Sequence, residues 1–252
     1  MLEAEIRRRR ERQDILLMTH IVLGYPSLDE CRRVVESMVE AGVDLMELQI
    51  PFSEPIADGP VILHANQKAL AAGVTVDQCL ELASTLCREF PIPFLFMSYY
   101  NIAYVRGPER FAKQMRECGV KGAIIPDLPF EEGQVLLDAM QRESLDPIFI
   151  YAPNTTDARM AQIAQRARGF IYCVARKGVT GAETQFDALG GYLARCRQHT
   201  KLPLALGFGV KDRKDVDAIR GKADIAVIGS ETIRVIDSRG SAGVKPFIAS
   251  LR

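Results

Sequence analysis

Glu47 is a carboxylate inside an apolar run, between Met46 and Leu48 in residues 45–50. A charge buried in such a run is costly unless it has a partner or a task. Asp58 follows in a stretch dense with Pro51, Pro55, Gly59 and Pro60, a composition that stiffens a loop. One carboxylate on a strand and another on a stiff loop can face a substrate from two sides. Their environments then separate their proton affinities, which is the arrangement general acid–base chemistry needs. The same residue types also fit a buried ion pair at Glu47 and a turn or helix cap at Asp58.

Three glycine-rich elements lie further along the chain: Lys177-Gly178-Val179-Thr180-Gly181-Ala182, Gly207-Phe208-Gly209, and Gly229-Ser230 ahead of a short helix expected near Glu231. Glycine lets backbone N–H groups approach a phosphate, and a helix N-terminus adds a favourable dipole. Ordinary turns would use the same glycines, but their joint placement favours a phosphate site. The loop 176–184 also carries Gly178 and Gly181 as candidate hinges for closure over a substrate.

The elements that must position these groups follow from the apolar pattern. Runs at 16–22, 45–50, 93–99, 122–125, 147–151, 170–174, 204–206 and 225–228 read as eight strands, several apolar on both faces as buried parallel strands are. Helical patterns at 28–41, 75–90, 108–118, 131–143, 156–166, 186–199 and 211–220 alternate with them. Eight βα units in 252 residues predict an α/β fold, a TIM (β/α)8 barrel in a single domain spanning 1–252, with an extra helix near the N-terminus. A Rossmann-like sheet predicts GxGxxG after the first strand, where the chain instead reads Leu23-Gly24-Tyr25-Pro26. In a barrel, residues at the C-terminal ends of the strands line the site. The long gap after the second strand must therefore hold extra structure next to the chemistry.

Lys plus Arg equals Asp plus Glu at 32 each, which argues against binding nucleic acid or a membrane surface through bulk charge. The N-terminal segment lacks the apolar centre of a signal peptide, and its run Arg7–Arg10, interleaved with Glu3, Glu5 and Glu11, reads as a solvated helix. The six cysteines form no CxxC pair and no histidine cluster accompanies them. They read as reduced thiols of a cytoplasmic protein, and no metal site is expected.

The segment from Glu47 through Gln49, Pro51, Phe52, Glu54 and Asp58 to Pro60 closely resembles the signature of the tryptophan synthase α-subunit family. So do residues 176–182, Gly207-Phe208-Gly209, Pro126-Asp127-Leu128-Pro129 and Leu23-Gly24-Tyr25-Pro26, in order over nearly the whole chain. The resemblance implies a lyase that splits indole-3-glycerol phosphate into indole and glyceraldehyde 3-phosphate by retro-aldol cleavage, without a cofactor of its own. It implies that Glu47 is the acid–base residue, that Asp58 stabilises charge at the indole nitrogen, and that Tyr172 is an active-site tyrosine. Gly181, Gly209, Gly229 and Ser230 would hold the phosphate, and Thr180 would meet Asp58 on loop closure. Ile124, Ile150, Phe208 and Val227 would wall the indole, although barrel core explains such hydrophobes equally well. It further implies a β-subunit partner carrying pyridoxal phosphate in an αββα heterotetramer, with Pro51, Glu54, Asn101, Asp127 and Pro129 at the interface.

Four residues depart from the family pattern: Gln49 where glycine is usual, Glu54 for aspartate, His20 for an apolar aromatic, and Lys177 for a smaller residue. By strand alternation Gln49 shares the face of Glu47, so it either crowds or hydrogen-bonds the pair. His20 either stacks on the indole or bonds a neighbour as a structural histidine. Two other readings remain open: a regulatory α subunit with weak lyase activity, and another phosphosugar barrel isomerase or epimerase.

Overall fold

Eight parallel strands close on themselves in chain order. They are β1 (Leu16–Val22), β2 (Leu45–Gln49), β3 (Phe94–Met97), β4 (Gly122–Ile124), β5 (Asp146–Tyr151), β6 (Ile171–Val174), β7 (Leu204–Gly207) and β8 (Ile225–Ile228). The computed structural model describes residues 1–175, 186–207 and 209–252. The helices are α1 (Leu2–Arg10), α2 (Leu28–Glu40), α3 (Pro60–Ala71), α4 (Val76–Glu89), α5 (Tyr100–Arg106), α6 (Pro108–Cys118), α7 (Gln134–Arg142), α8 (Asp157–Arg166), α9 (Phe186–His199), α10 (Arg213–Ile219), α11 (Ser230–Arg239) and α12 (Val244–Ser250). This is the barrel that the sequence pattern predicts. The extra structure expected after the second strand is α3, which begins on Pro60, a residue suited to a first helical turn. The third strand is shorter than the apolar run, because Tyr99 leaves the ladder to serve as the N-cap of α5, a helix the pattern did not predict.

The period of two along each strand sorts the core into two shells. Leu17, Ile21, Met46, Leu48, Phe94, Phe96, Ile171, Cys173, Leu204, Leu206, Ala226 and Ile228 face outward and pack under the helices. Leu16, Met18, Leu45, Leu95, Met97, Ile124, Ile148, Ala205, Ile225 and Val227 face inward and fill the barrel. The register sets the inner layers: Met18 lies opposite Leu45, His20 opposite Glu47, and Val22 opposite Gln49. Two residues further along β1 and β2, the apolar layers therefore give way to polar ones.

The N-terminal helix departs from the solvated reading. Its arginines do pair along the helix, Arg7 with Glu3 at 2.8 Å and Arg9 with Glu5 at 2.8 Å. But Leu2 and Ile6 on its other face are buried and pack into the inner barrel cluster beside Leu16 and Phe170. The Leu2 N–H also donates to Asp146 at 3.1 Å. Thus α1 is the floor of the barrel. Among the described residues, no helix is long and apolar enough to cross a membrane, and no cluster of three or more His, Cys, Asp or Glu could hold a metal ion. All six cysteines are free.

Candidate active site

The carboxylate inside the second strand stays on the inner face, where alternation puts it. Glu47 is only 2% exposed. Its Oε2 lies 2.9 Å from His20 Nδ1, while its Oε1 is buried without a hydrogen-bond partner among the described residues. A buried acceptor left unmatched is expensive unless a ligand satisfies it. Of the two readings of His20, bonding to a neighbour is the one observed: Nδ1 meets Glu47, and Nε2 lies 2.8 Å from Gln49 Oε1. Gln49 in turn donates from Nε2 to Asp58 Oδ2 at 2.7 Å. It therefore bonds the pair rather than crowding it.

Asp58 is half-buried, and more than prolines fixes it. The Tyr99 hydroxyl donates to Asp58 Oδ2 at 3.0 Å and accepts the Ala57 N–H at 3.1 Å. The Tyr99 ring stacks on Phe52, with centroids 5.1 Å apart and planes 17° from parallel. The Phe52 N–H donates to Asn66 Oδ1 at 2.9 Å, and Asn66 Nδ2 donates to the Ile62 carbonyl at 2.8 Å. The loop 51–59 is thereby tied to β3 and to α3. Among the described residues two donors occupy Oδ2 and none Oδ1, so Oδ1 is the oxygen on which Asp58 can receive a further N–H.

Both carboxylates line a cavity of about 190 Å³ at the C-terminal mouth of the barrel. Ile124, Ile150 and Val227 line it, together with Met97 and Ile62. Tyr172 closes one side. Its phenol is held well above its ordinary range, first by burial and then by the charges of Glu47 and Asp58, so it is a hydrogen-bond donor and not a phenolate. A Cβ on Gly207 would come within 2.9 Å of the Tyr172 ring and hydroxyl, so the small residue at 207 makes room for the tyrosine. For His20, burial alone pulls the pKa down. The hydrogen bond and charge of Glu47, the charge of Asp58 and the bond to Gln49 outweigh it, and the net shift is upward.

At the far rim the cavity meets Gly209, Gly229 and Ser230. Gly209 takes a left-handed φ of +83°. Ser230 opens α11, whose N-cap Gly229 supplies no side-chain cap; the Thr232 N–H bonds the Gly229 carbonyl at 3.0 Å, and the dipole of this helix N-terminus favours an anion. Thr180, Gly181, Phe208 and Lys177 lie outside the described residues. Of the residues expected at a partner interface, Glu54, Asn101 and Pro129 are exposed, Asp127 is half-buried, and Pro51 is buried within the chain. Asp127 accepts the Tyr100 N–H at 2.9 Å, so it also holds the start of α5.

Sequence reasoning missed Tyr99, Met97 and Ile62, and it missed three exposed hydrophobes on the segments after β2 and β3: Ile56 at 80%, Tyr104 at 66% and Val105 at 75%. The signal for Tyr99 was an aromatic hydroxyl at a strand end, but its partner Asp58 is remote in sequence.

A family model described as "Tryptophan synthase alpha chain" matches residues 6–246. The chain belongs to the tryptophan synthase alpha chain family. It is 62% identical over 253 residues to the tryptophan synthase alpha chain of Syntrophotalea carbinolica, with all of both chains covered. It is 59% identical to that of Desulforapulum autotrophicum, again over the full length of both. Among solved structures, a tryptophan synthase chain from M. tuberculosis superposes with a TM-score of 0.91 at 27% identity, covering 99% of this chain and 97% of that one. Tryptophan synthase subunit alpha from Legionella pneumophila gives 0.90 at 27%, covering 99% and 96%. Within the family's barrel, the Glu47–His20–Gln49–Asp58 chain occupies the mouth from which βα loops build active sites.

Proposed function

We propose that this chain is a cytoplasmic carbon–carbon lyase that cleaves indole-3-glycerol phosphate to indole and glyceraldehyde 3-phosphate, as the alpha subunit of tryptophan synthase in L-tryptophan biosynthesis. The observation that carries the reading is the buried, unpartnered Oε1 of Glu47 in the same cavity as Asp58. Glu47 serves the proton that ring carbon C3 gains and the side-chain hydroxyl loses. Protonating C3 makes the indole cationic, and Asp58, through Oδ1 toward the ring N–H, lowers that barrier electrostatically. Tyr172 is a neutral donor beside them. Ile124, Ile150, Val227 and Phe208 hold the indole. Gly229 and Ser230, with Gly209, Gly181 and Thr180, take the phosphate end, where the N-terminus of α11 favours an anion.

The partner is a β subunit, which brings the pyridoxal phosphate, in an αββα assembly. Exposed Glu54, Asn101 and Pro129, with the apolar Ile56, Tyr104 and Val105, support a docking face on the loops after β2, β3 and β4; Asp127 and Pro51 support it from beneath. The alternative of a regulatory subunit with weak lyase activity rests on Gln49 and Glu54; the first motive weakens, since Gln49 bonds His20 and Asp58 instead of crowding the carboxylates.

Indole release from indole-3-glycerol phosphate by wild type and by Asp58→Asn tests the assignment. The expected outcome is a loss on the order of a hundredfold or more in kcat for the variant. Equal turnover would remove Asp58 from the mechanism.

A further inference from the structure

We infer that His20 and Gln49 form a relay that couples the proton held at Glu47 to the charge of Asp58, making both of them positioning residues for the cleavage. The inference rests on the lyase reading above and deepens it.

The polarity of the relay can be worked out from one end. An ionised Asp58 only accepts, so the Gln49 amide must turn its NH2 toward Oδ2, 2.7 Å away. That fixes the amide oxygen toward His20 Nε2, 2.8 Å away, and Nε2 must therefore carry a hydrogen. Tyr99 donating to the same Oδ2 reinforces the choice. The remaining ring nitrogen, Nδ1, lies 2.9 Å from Glu47 Oε2. Without a proton there, two lone pairs would face each other in a buried site. The contact thus holds one proton, shared as imidazolium with carboxylate or as neutral imidazole with carboxylic acid. The fixed Gln49 amide keeps the hydrogen on Nε2, and the His20 contact through Oε2 leaves the other oxygen of Glu47 free among the described residues.

That free oxygen is Oε1, buried and unpartnered in the cavity. In the net reaction the O–H beside the ring breaks and a C=O forms. The C–C bond to ring C3 breaks with its electron pair passing to the ring, and a C3–H bond forms. One proton leaves oxygen and one reaches carbon, both through Oε1. The proton on the His20–Oε2 side is neither consumed nor made. The relay keeps Glu47 oriented and its proton count constant through the cycle.

The groups facing His20 among the described residues are Glu47 and Gln49 from β2, Asp58 from its loop and Tyr172 from β6, with apolar Val227 from β8 and Met97 from β3. No described lysine or arginine lines this cavity. Burial, which opposes a charge on His20, is outweighed by Glu47, Asp58 and Gln49, so the imidazole keeps its proton to higher pH than the ordinary 6.5.

The test uses the full chain with indole-3-glycerol phosphate, comparing wild type, His20→Phe, Gln49→Met and Glu47→Gln. Both relay variants should lower kcat by roughly tenfold to a hundredfold, with KM changed by less than about threefold. Both should also change the basic limb of the pH profile; His20→Phe should abolish it. Nitrogen-15 imidazole spectra, with His20 assigned as the signal kept when the other two histidines, His64 and His199, are replaced, should show Nε2 protonated in wild type and a tautomer mixture in Gln49→Met. Because the wild-type spectrum alone tests the polarity, a variant that fails to fold does not shelter the inference. An unprotonated Nε2 overturns the relay. So does a relay variant that keeps wild-type kcat and pH profile while Glu47→Gln is inactive. A Glu47→Gln chain with wild-type turnover overturns the acid–base role of Glu47, and the relay with it; a wild type that releases no indole overturns the lyase reading instead.

Discussion

The lower and upper halves of the barrel are built from the same strands and behave as different materials. On β1 the inward sequence is Leu16, Met18, then His20, and on β2 it is Leu45, then Glu47, then Gln49. Below, the inward side chains of β1 and β2 are apolar, and the layers are closed by Leu2 and Ile6. Above, three buried polar side chains bond to one another and to a loop. A step of two residues along a strand separates a region whose residues act on stability from one whose residues act on chemistry. At the floor the half-buried Asp146 is satisfied by the Leu2 N–H at 3.1 Å. At the mouth Glu47 Oε1 has no partner among the described residues, and in the proposed function a substrate satisfies it.

The sharpest way to break this contrast is at Glu47. Glu47→Gln keeps the shape and should lower indole formation on the order of 10²–10⁴-fold, read by steady-state kinetics, with the thermal unfolding midpoint little changed. A large fall in that midpoint would mean that the upper layer carries the fold as well. The mirror experiment is Leu45→Ala on the same strand. It should cost about 2–5 kcal/mol in denaturant unfolding and leave the kcat of the folded fraction close to wild type. Gly207→Ala sits at the boundary: its Cβ would meet Tyr172 at 2.9 Å, so it should raise KM or lower kcat by roughly tenfold through displacing that ring, more than a Gly→Ala change at an open turn. Smallest is the pH effect. The folded pKa of His20 is raised above 6.5, so its contribution to stability is full below that value and is lost as pH rises through the folded value. Denaturant midpoints across that window should decline in wild type, and the part due to His20 should vanish in His20→Phe.

Much of the lower half was legible in the sequence because it obeys one rule. Strands apolar on both faces at regular spacing leave little choice but a closed parallel barrel, and β1 and β8 fall where the apolar runs predict. Glu47 was legible as the exception to that rule. The network around it was less so. Alternation placed Gln49 beside Glu47 but could not supply the cross-strand partner His20 or the amide's contact with Asp58. Tyr99 escaped because an apolar run reads as strand to its end, while the backbone turns there into α5. Ile6 escaped because a single apolar residue among arginines gives almost no periodic signal, although its burial is complete.

That same residue closes one end. Leu2 and Ile6 are seated under the innermost layer, and Leu16, Met18, Leu45, Leu95, Ala205 and Ile225 fill the space above them, so the barrel is a cup and not a pipe. In the proposed function the substrate therefore enters, and the products leave, by the same mouth.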